Sequence, residues 1–220
     1  MSKQLGLGFS GETENSRPLA ALLRPDSFDS FVGQENLRPM LKHLLKSPRH
    51  VIFWGPSGSG KTTLAHLISN QLNLEIFNFN AVTSGIPELK KLIQEILDLK
   101  KTYGKQSVLF IDEIHRFNKS QQDALLPYLE NGDFLFFGAT TEYPQTALNR
   151  ALISRVSLIE LKSHQKDDLV KILEKGVNHL QREDLRDFIT EIAEFSNGDA
   201  RFALNQLSIL SEMPQDRLND

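Results

Sequence analysis

Cysteine is absent from the 220 residues, which excludes disulfides and thiolate metal sites and makes the cytosol the default setting. No apolar run approaches the about 18 residues needed to cross a bilayer. The N-terminus lacks the basic-then-apolar pattern of a secretion signal, so no membrane partner is expected. An excess of positive charge is missing too. With a net charge of −3 the chain carries no broad basic coat, and any DNA contact must come from a local patch. None of the six histidines shows metal-ligand spacing, and neither internal repeats nor low-complexity tracts occur. What remains is 40% hydrophobic and 24% charged, an ordinary globular balance. The length suffices for one full core with room for a small second one.

Residues 1–17, rich in Gly, Ser, Glu and Asn, read as a flexible arm. Short apolar runs follow at Val51–Trp54, Val108–Ile111, Phe134–Phe137 and Val156–Leu161, with a weaker one at Glu75–Phe79. Runs this short, apolar on both faces and separated by helical patterns, predict central strands of a parallel sheet. Leu64, Leu67, Ile68 and Leu72 keep one helical face, as do Leu89, Leu92, Ile93, Ile96 and Leu97. Asn118 with Gln121 three residues on reads as a capped helix start. After about Ser163 the strand signals stop. Leu169, Ile172 and Leu173, then Leu185, Phe188, Ile189 and Ile192, then Phe202, Leu204 and Leu207 are spaced as helices, which predicts a helical lid.

Gly55-Pro56-Ser57-Gly58-Ser59-Gly60-Lys61-Thr62 fits the pattern G-x-x-x-x-G-K-[ST] in full, between a strand and an amphipathic helix. Its glycines let the backbone wrap closely enough for N–H groups to point at phosphate oxygens. The helix N-terminus, continuing through Thr63, adds its positive end. Lys61 is assigned to the β- and γ-phosphates and the Thr62 hydroxyl to Mg²⁺. Val108–Ile111 ends in Asp112-Glu113. Asp112 at a strand's C-terminal edge suits Mg²⁺, and Glu113 suits activation of an attacking water. A second acid favours hydrolysis over transfer to a substrate hydroxyl, which disfavours a small-molecule kinase. The run Phe134–Phe137 leads into Thr140-Thr141, where either hydroxyl suits a γ-phosphate or water contact, Thr141 first and Thr140 as the register alternative. Arg155, with Arg150 as alternative, and Arg201 in the lid offer the bidentate fork that spreading phosphate charge calls for.

Several segments stand in order: Arg24-Pro25, Phe31-Val32-Gly33-Gln34, the phosphate loop, Ala81-Val82-Thr83-Ser84-Gly85, and Asp112-Glu113-Ile114-His115-Arg116-Phe117-Asn118-Lys119-Ser120-Gln121-Gln122-Asp123-Ala124. Gly138-Ala139-Thr140-Thr141-Glu142 and Ala151-Leu152-Ile153-Ser154-Arg155 follow. Over roughly residues 18–212 the chain resembles the replication-associated recombination protein A family, AAA+ relatives of clamp-loader subunits and of the Holliday-junction motor RuvB. The resemblance implies Thr141 as sensor 1, Arg155 as a finger acting on a neighbouring subunit and Arg201 as sensor 2. It places the Val32-Gly33 backbone at the adenine with Phe28 and Phe31 behind, and raises Asn80 as a restraint on Glu113 beside the plainer reading of a capping asparagine. Family members run on into a helical oligomerisation region, whereas this sequence stops at Asp220, so homo-oligomer formation is expected but open. Tyr143 stands where an asparagine is more usual. Gln4-Leu5-Gly6-Leu7-Gly8-Phe9 resembles the peptides by which bacterial proteins dock on the sliding clamp, with Gln4, Leu5, Leu7 and Phe9 as the contacts.

These readings lead to an α/β AAA+ P-loop fold: a five-stranded parallel sheet over residues 18–162, then a helical lid over 163–220. ATP and Mg²⁺ are the expected ligands. The expected activity is ATP hydrolysis at a subunit-shared site, acting on forked or single-stranded DNA at stalled forks, in the nucleoid-associated cytoplasm. The alternative is a nucleotide-dependent adaptor tethered to the clamp with little turnover. Lys90, Lys91, Lys100, Lys101 and Lys105 offer a DNA patch on one helix or simply a solvated face.

Overall fold

The computed structural model describes residues 17–214, so the expectations for the N-terminal arm and its clamp-like peptide lie outside the described residues. Five strands, β1 (Val51–Trp54), β2 (Glu75–Asn80), β3 (Ser107–Asp112), β4 (Leu135–Thr140) and β5 (Ser157–Glu160), form one sheet in the order β2-β3-β4-β1-β5. Every pairing is parallel, as the short apolar runs predict.

Strand alternation divides the sheet's side chains between two cores. Val51, Phe53, Val108, Phe110, Phe137 and Ala139 face helices α2 (Arg38–Lys46) and α3 (Lys61–Gln71), where Leu64, Leu67 and Ile68 complete the layer. Ile52, Leu109, Ile111 and Phe136 face α4 (Ile86–Tyr103), whose Leu89, Ile93 and Ile96 are buried on one stripe. β4 runs three residues past the apolar stretch that marked it. Gly138, Ala139 and Thr140 read as a turn in isolation, yet Trp54 pairs with Thr140 and the small residues admit close neighbours. A Cβ on Gly138 would stand 3.1 Å from Ile52 Cγ1.

The helix expected at Asn118 begins there. Asn118 Oδ1 accepts from Gln121 N–H at 2.9 Å, and Gln121 Oε1 accepts from Asn118 N–H at 2.8 Å. It is broken into α5 (Lys119–Asp123) and α6 (Leu126–Glu130), with Pro127 in the first turn of α6. Two further short helices, α7 (Pro144–Ala147) and α8 (Arg150–Ile153), precede β5.

The C-terminal portion is helical: α9 (Lys166–Leu180), α10 (Ile189–Phe195) and α11 (Ala200–Ser211). It has its own core of Leu169, Leu173, Val177, Leu185, Ile189, Ile192, Ala203, Leu204 and Leu207. Two details differ from the spacing-based reading. Leu185 and Phe188 belong to a 3-10 segment, Glu183–Phe188, ahead of α10. Phe202 is 45% exposed, because residues two apart on a helix cannot share a face with Leu204. The first helix, α1 (Leu19–Leu22), also packs here: Leu19 is buried in this cluster and Leu23 lies against it. The residues just after the arm therefore reach across to the helical portion rather than the sheet.

Candidate functional site

The C-terminal ends of β1, β3 and β4 open onto a cleft of about 440 Å³ between the sheet and the helical portion. This is the crevice in which open parallel sheets hold ligands. Its walls bring together Ser57, Gly58, Gly60, Lys61, Thr62 and Thr63 from the loop and α3, Asp112 and Glu113 from the end of β3, Thr141 beyond β4, and Arg201 from α11. These residues span most of the chain and meet because β4 lies between β3 and β1.

The loop's glycines are demanded by the space around them. Gly55 has φ +142°, and a Cβ there would stand 2.1 Å from the Leu161 carbonyl oxygen. Gly58 has φ +64°, and its Cβ would fall 2.0 Å from Asp199 Oδ1. Gly60 rests on the ring of Phe31, a core residue with Phe28 packed nearby. Lys61 Nζ donates to the carbonyls of Gly55 at 2.8 Å and Pro56 at 2.7 Å. Burial pushes its pKa down, while Glu113 and Asp112 pull it up. The first-turn N–H groups of α3 have no partner within the helix. Loop, lysine and helix end thus make a positively polarised cradle for an anion.

Beside it, Asp112 Oδ1 accepts from the Glu113 N–H at 3.1 Å. Glu113 has φ 55° and ψ 44°, left-handed backbone that non-glycine residues rarely adopt. Thr141 lines the cleft, whereas Thr140 is buried and turned away, with Oγ1 2.9 Å from His115 Nδ1. The register alternative is thereby excluded as a cleft contact. Asn80 has the plainer role: its Oδ1 accepts from Val82 N–H at 2.8 Å, capping the turn after β2. Tyr143 packs edge-on against Trp54, the residue before Gly55, with ring centroids 5.4 Å apart.

Outside the loop, two expected contributors stand apart. Gly33 (φ +78°) sits behind the wall, its Cα backed onto the His164 ring and Asp168, while its neighbour Val32 faces the cleft. Arg155 is outside the cleft walls. Its guanidinium pairs with Glu130, and its Nη1 donates to Ala151 O at 2.7 Å.

Two further residues belong to the site without any local signal of it in the sequence. Arg24 lines the cleft, and its pKa is pushed down by burial and by the like charge of Arg201, against the pull of Asp112. Its local signal, Leu-Leu-Arg-Pro after a short helix, says nothing about what it will face. His164 lies at the junction with the helical portion, where its N–H donates to Gly198 O at 3.2 Å. Burial lowers its pKa, with Asp168 opposing first. Among the described residues, the buried side-chain atoms without a hydrogen-bond partner are Ser59 Oγ and His164 Nδ1. Both lie at or beside the cradle, which fits a site shaped for a polar ligand. The Gln34 amide clamps the same junction, donating to Lys162 O at 2.6 Å and accepting from Lys162 N–H at 3.1 Å.

A parallel five-stranded sheet with this loop, this pair of acids and a following helical portion defines the AAA class. The family described as "ATPase family associated with various cellular activities (AAA)" matches residues 51–163, and the chain belongs to it. Within it, the chain is 42% identical to replication-associated recombination protein A of Haemophilus influenzae, over 92% of this chain and 48% of that protein. It is 40% identical to the Escherichia coli protein of the same name, over 96% and 49%. ATPase WRNIP1 of Dictyostelium discoideum is 38% identical over 87% of this chain and 23% of its own length. Among solved structures, the Thermotoga maritima RuvB Holliday junction branch migration motor superposes with a TM-score of 0.72 at 30% identity. That match covers 87% of this chain and 66% of RuvB. The resemblance carried by the motifs therefore extends along the chain, which spans about half the length of the bacterial relatives it matches.

Proposed function

We propose that the chain binds MgATP in this cleft and hydrolyses the γ-phosphate, and that it acts in DNA replication and recombination as its relatives' names describe. The observation that carries the reading is the convergence of Lys61, Thr62, Asp112, Glu113, Thr141 and Arg201 on one cleft. In this reading Lys61 leaves the Gly55 and Pro56 carbonyls and donates to β- and γ-phosphate oxygens. Thr62 and Asp112 would hold Mg²⁺, which when bound neutralises charge on those oxygens. Glu113 takes the proton of the attacking water, and Thr141 orients that water. Arg201 and Arg24 supply positive charge from the helical portion and the N-terminal segment. Val32 borders the base, with Gly33 behind it. Arg155, which lies outside the walls of its own cleft, serves a neighbouring subunit's.

Forked or single-stranded DNA, the sliding clamp and a homo-oligomer are the partners proposed, in the nucleoid-associated cytoplasm. Among the described residues no helix is long and apolar enough to cross a membrane. Steady-state hydrolysis measured across protein concentration, with and without forked DNA, tests the reading alongside Glu113→Gln and Arg155→Ala. Specific activity should rise with concentration, and both variants should lose turnover by roughly 10²-fold or more while retaining ATP binding. ATP binding with negligible turnover at every concentration would instead favour the clamp-tethered adaptor.

A further inference from the structure

His115 follows the two acids on a 3-10 turn, Ile114–Arg116, that carries the chain away from β3. Its side chain is only 4% exposed, and its polar neighbours are Glu113, which lines the cleft, and Thr140 and Glu142 at the tip of β4. Nδ1 lies 2.9 Å from Thr140 Oγ1 and 3.2 Å from Glu113 Oε2. Nε2 faces Glu142 Oε1 at 3.6 Å. Thr140 Oγ1 also accepts from the Glu142 N–H at 3.0 Å, which fixes the hydroxyl at the tip of β4.

We propose that His115 is a positioning residue for Glu113, holding one carboxylate oxygen so that the other is presented to the cleft, and tying that orientation to the tip of β4. The inference rests on the reading of Glu113 as the base.

The physical need is clear from the backbone. Glu113 stands on left-handed φ and ψ at the edge of an open cleft, and its side chain has rotatable bonds that would blur the direction of its lone pairs. A buried imidazole cannot swing, because packing and Thr140 hold it. An Nδ1–H shared between Thr140 Oγ1 at 2.9 Å and Glu113 Oε2 at 3.2 Å engages one carboxylate oxygen and leaves Oε1 for water. It also leaves the Thr140 hydroxyl proton for the Glu142 carbonyl, 3.5 Å away. The same contact is a route for information. Thr141, adjacent to Thr140 in the chain, lines the cleft, so a ligand drawing on Thr141 shifts the tip of β4 and with it the imidazole that aims the base. A histidine that only filled space would not need two oxygens within 3.2 Å of one nitrogen.

The test uses three variants of the full chain. In His115→Asn the amide nitrogen takes the place of Nδ1, whereas in His115→Gln it takes the place of Nε2, and His115→Ala keeps neither. A fluorescent ATP analogue should bind all three within about twofold of the parent, and melting temperatures should stay close. Turnover should fall roughly 10- to 100-fold in the Ala and Gln variants, as outer contacts to a reacting group commonly do, with kcat rather than KM carrying the loss. The Asn variant should recover most of it. Equal loss in Asn and Ala, unchanged kcat throughout, or losses that track affinity or melting would each overturn the proposal.

A readout independent of turnover is the imidazole nitrogen spectrum of ¹⁵N-histidine-labelled protein. The His115 Nδ1 resonance should move in Glu113→Gln without nucleotide, and a resonance that stays put would overturn the contact. Should the parent show no hydrolysis, the hydrolytic reading fails by itself while this spectrum still decides whether His115 holds Glu113.

Discussion

Gly58 shows how little room single residues have at this cleft. Its φ of +64° is left-handed, and Asp199 Oδ1 occupies the place its Cβ would take. Asp199 is itself committed, accepting from the Phe202 N–H at 2.9 Å to cap α11. Gly58→Ala should therefore displace the cap as well as strain the loop. The expected cost is about 1–3 kcal/mol in stability, with nucleotide affinity reduced by at least roughly tenfold. Denaturant unfolding and nucleotide titration would check both; affinity equal to the parent's would show that the loop and α11 are not packed this tightly. Lys61, Thr62, Asp112 and Glu113 were legible in the sequence because a contiguous pattern states their chemistry. Arg24 and His164 were not. An isolated arginine or histidine acquires a role only from neighbours that are distant in sequence, and no local spacing encodes those neighbours.

Elements are joined by similarly specific contacts, and one of them responds to pH. His50, just before β1, lies with Nε2 3.1 Å from Leu129 O near the end of α6, while Nδ1 accepts from the Phe136 N–H of β4 at 3.1 Å. Burial pushes its pKa below the ordinary 6.5, with the Leu129 carbonyl pulling the other way. Burial lowers His66 and His164 in the same direction. A proton therefore binds the unfolded chain more readily than the folded one. Between the lowered folded values and about 6.5, stability rises with pH; it is complete above that range and falls as pH drops through it. The urea midpoint should be lower at pH 5.5 than at pH 7.5, and His50→Gln should shrink the difference. A midpoint unchanged or higher at pH 5.5 would contradict the buried-histidine account. At this scale periodicity located every strand and the capped start of α5. It misjudged the end of β4, since Gly138-Ala139-Thr140 gains its extended form from pairing with β1. It also misjudged Phe202, since a helix start is needed before its face is known.

The whole molecule is organised around the cleft. The sheet and the helical portion have separate cores, joined through the cleft, the Gln34–Lys162 clamp and the reach of α1. A ligand gripped by both sides would couple their relative position to the state of the phosphates. Attachment to replication machinery is proposed through the N-terminal peptide, where Leu7 and Phe9 supply apolar anchors and Gln4 a directional hydrogen bond. The pair Leu7→Ala and Phe9→Ala should abolish most measurable affinity for the sliding clamp while leaving ATP binding intact. Clamp affinity unchanged in that double variant would remove the peptide from the account.

The class of fold, the anion cradle and the two acids follow from the amino-acid order alone. Each is specified by residues adjacent in the chain or by a short period, so local chemistry suffices to state it. Long-range packing settled which threonine faces the cleft, that Arg24 shares the cleft with Arg201 and Asp112, that Asn80 caps a turn, and that His115 stands between Glu113 and the tip of β4. Those relations depend on the parallel order β3-β4-β1 and on helices folding back over the sheet, and long-range packing sets both.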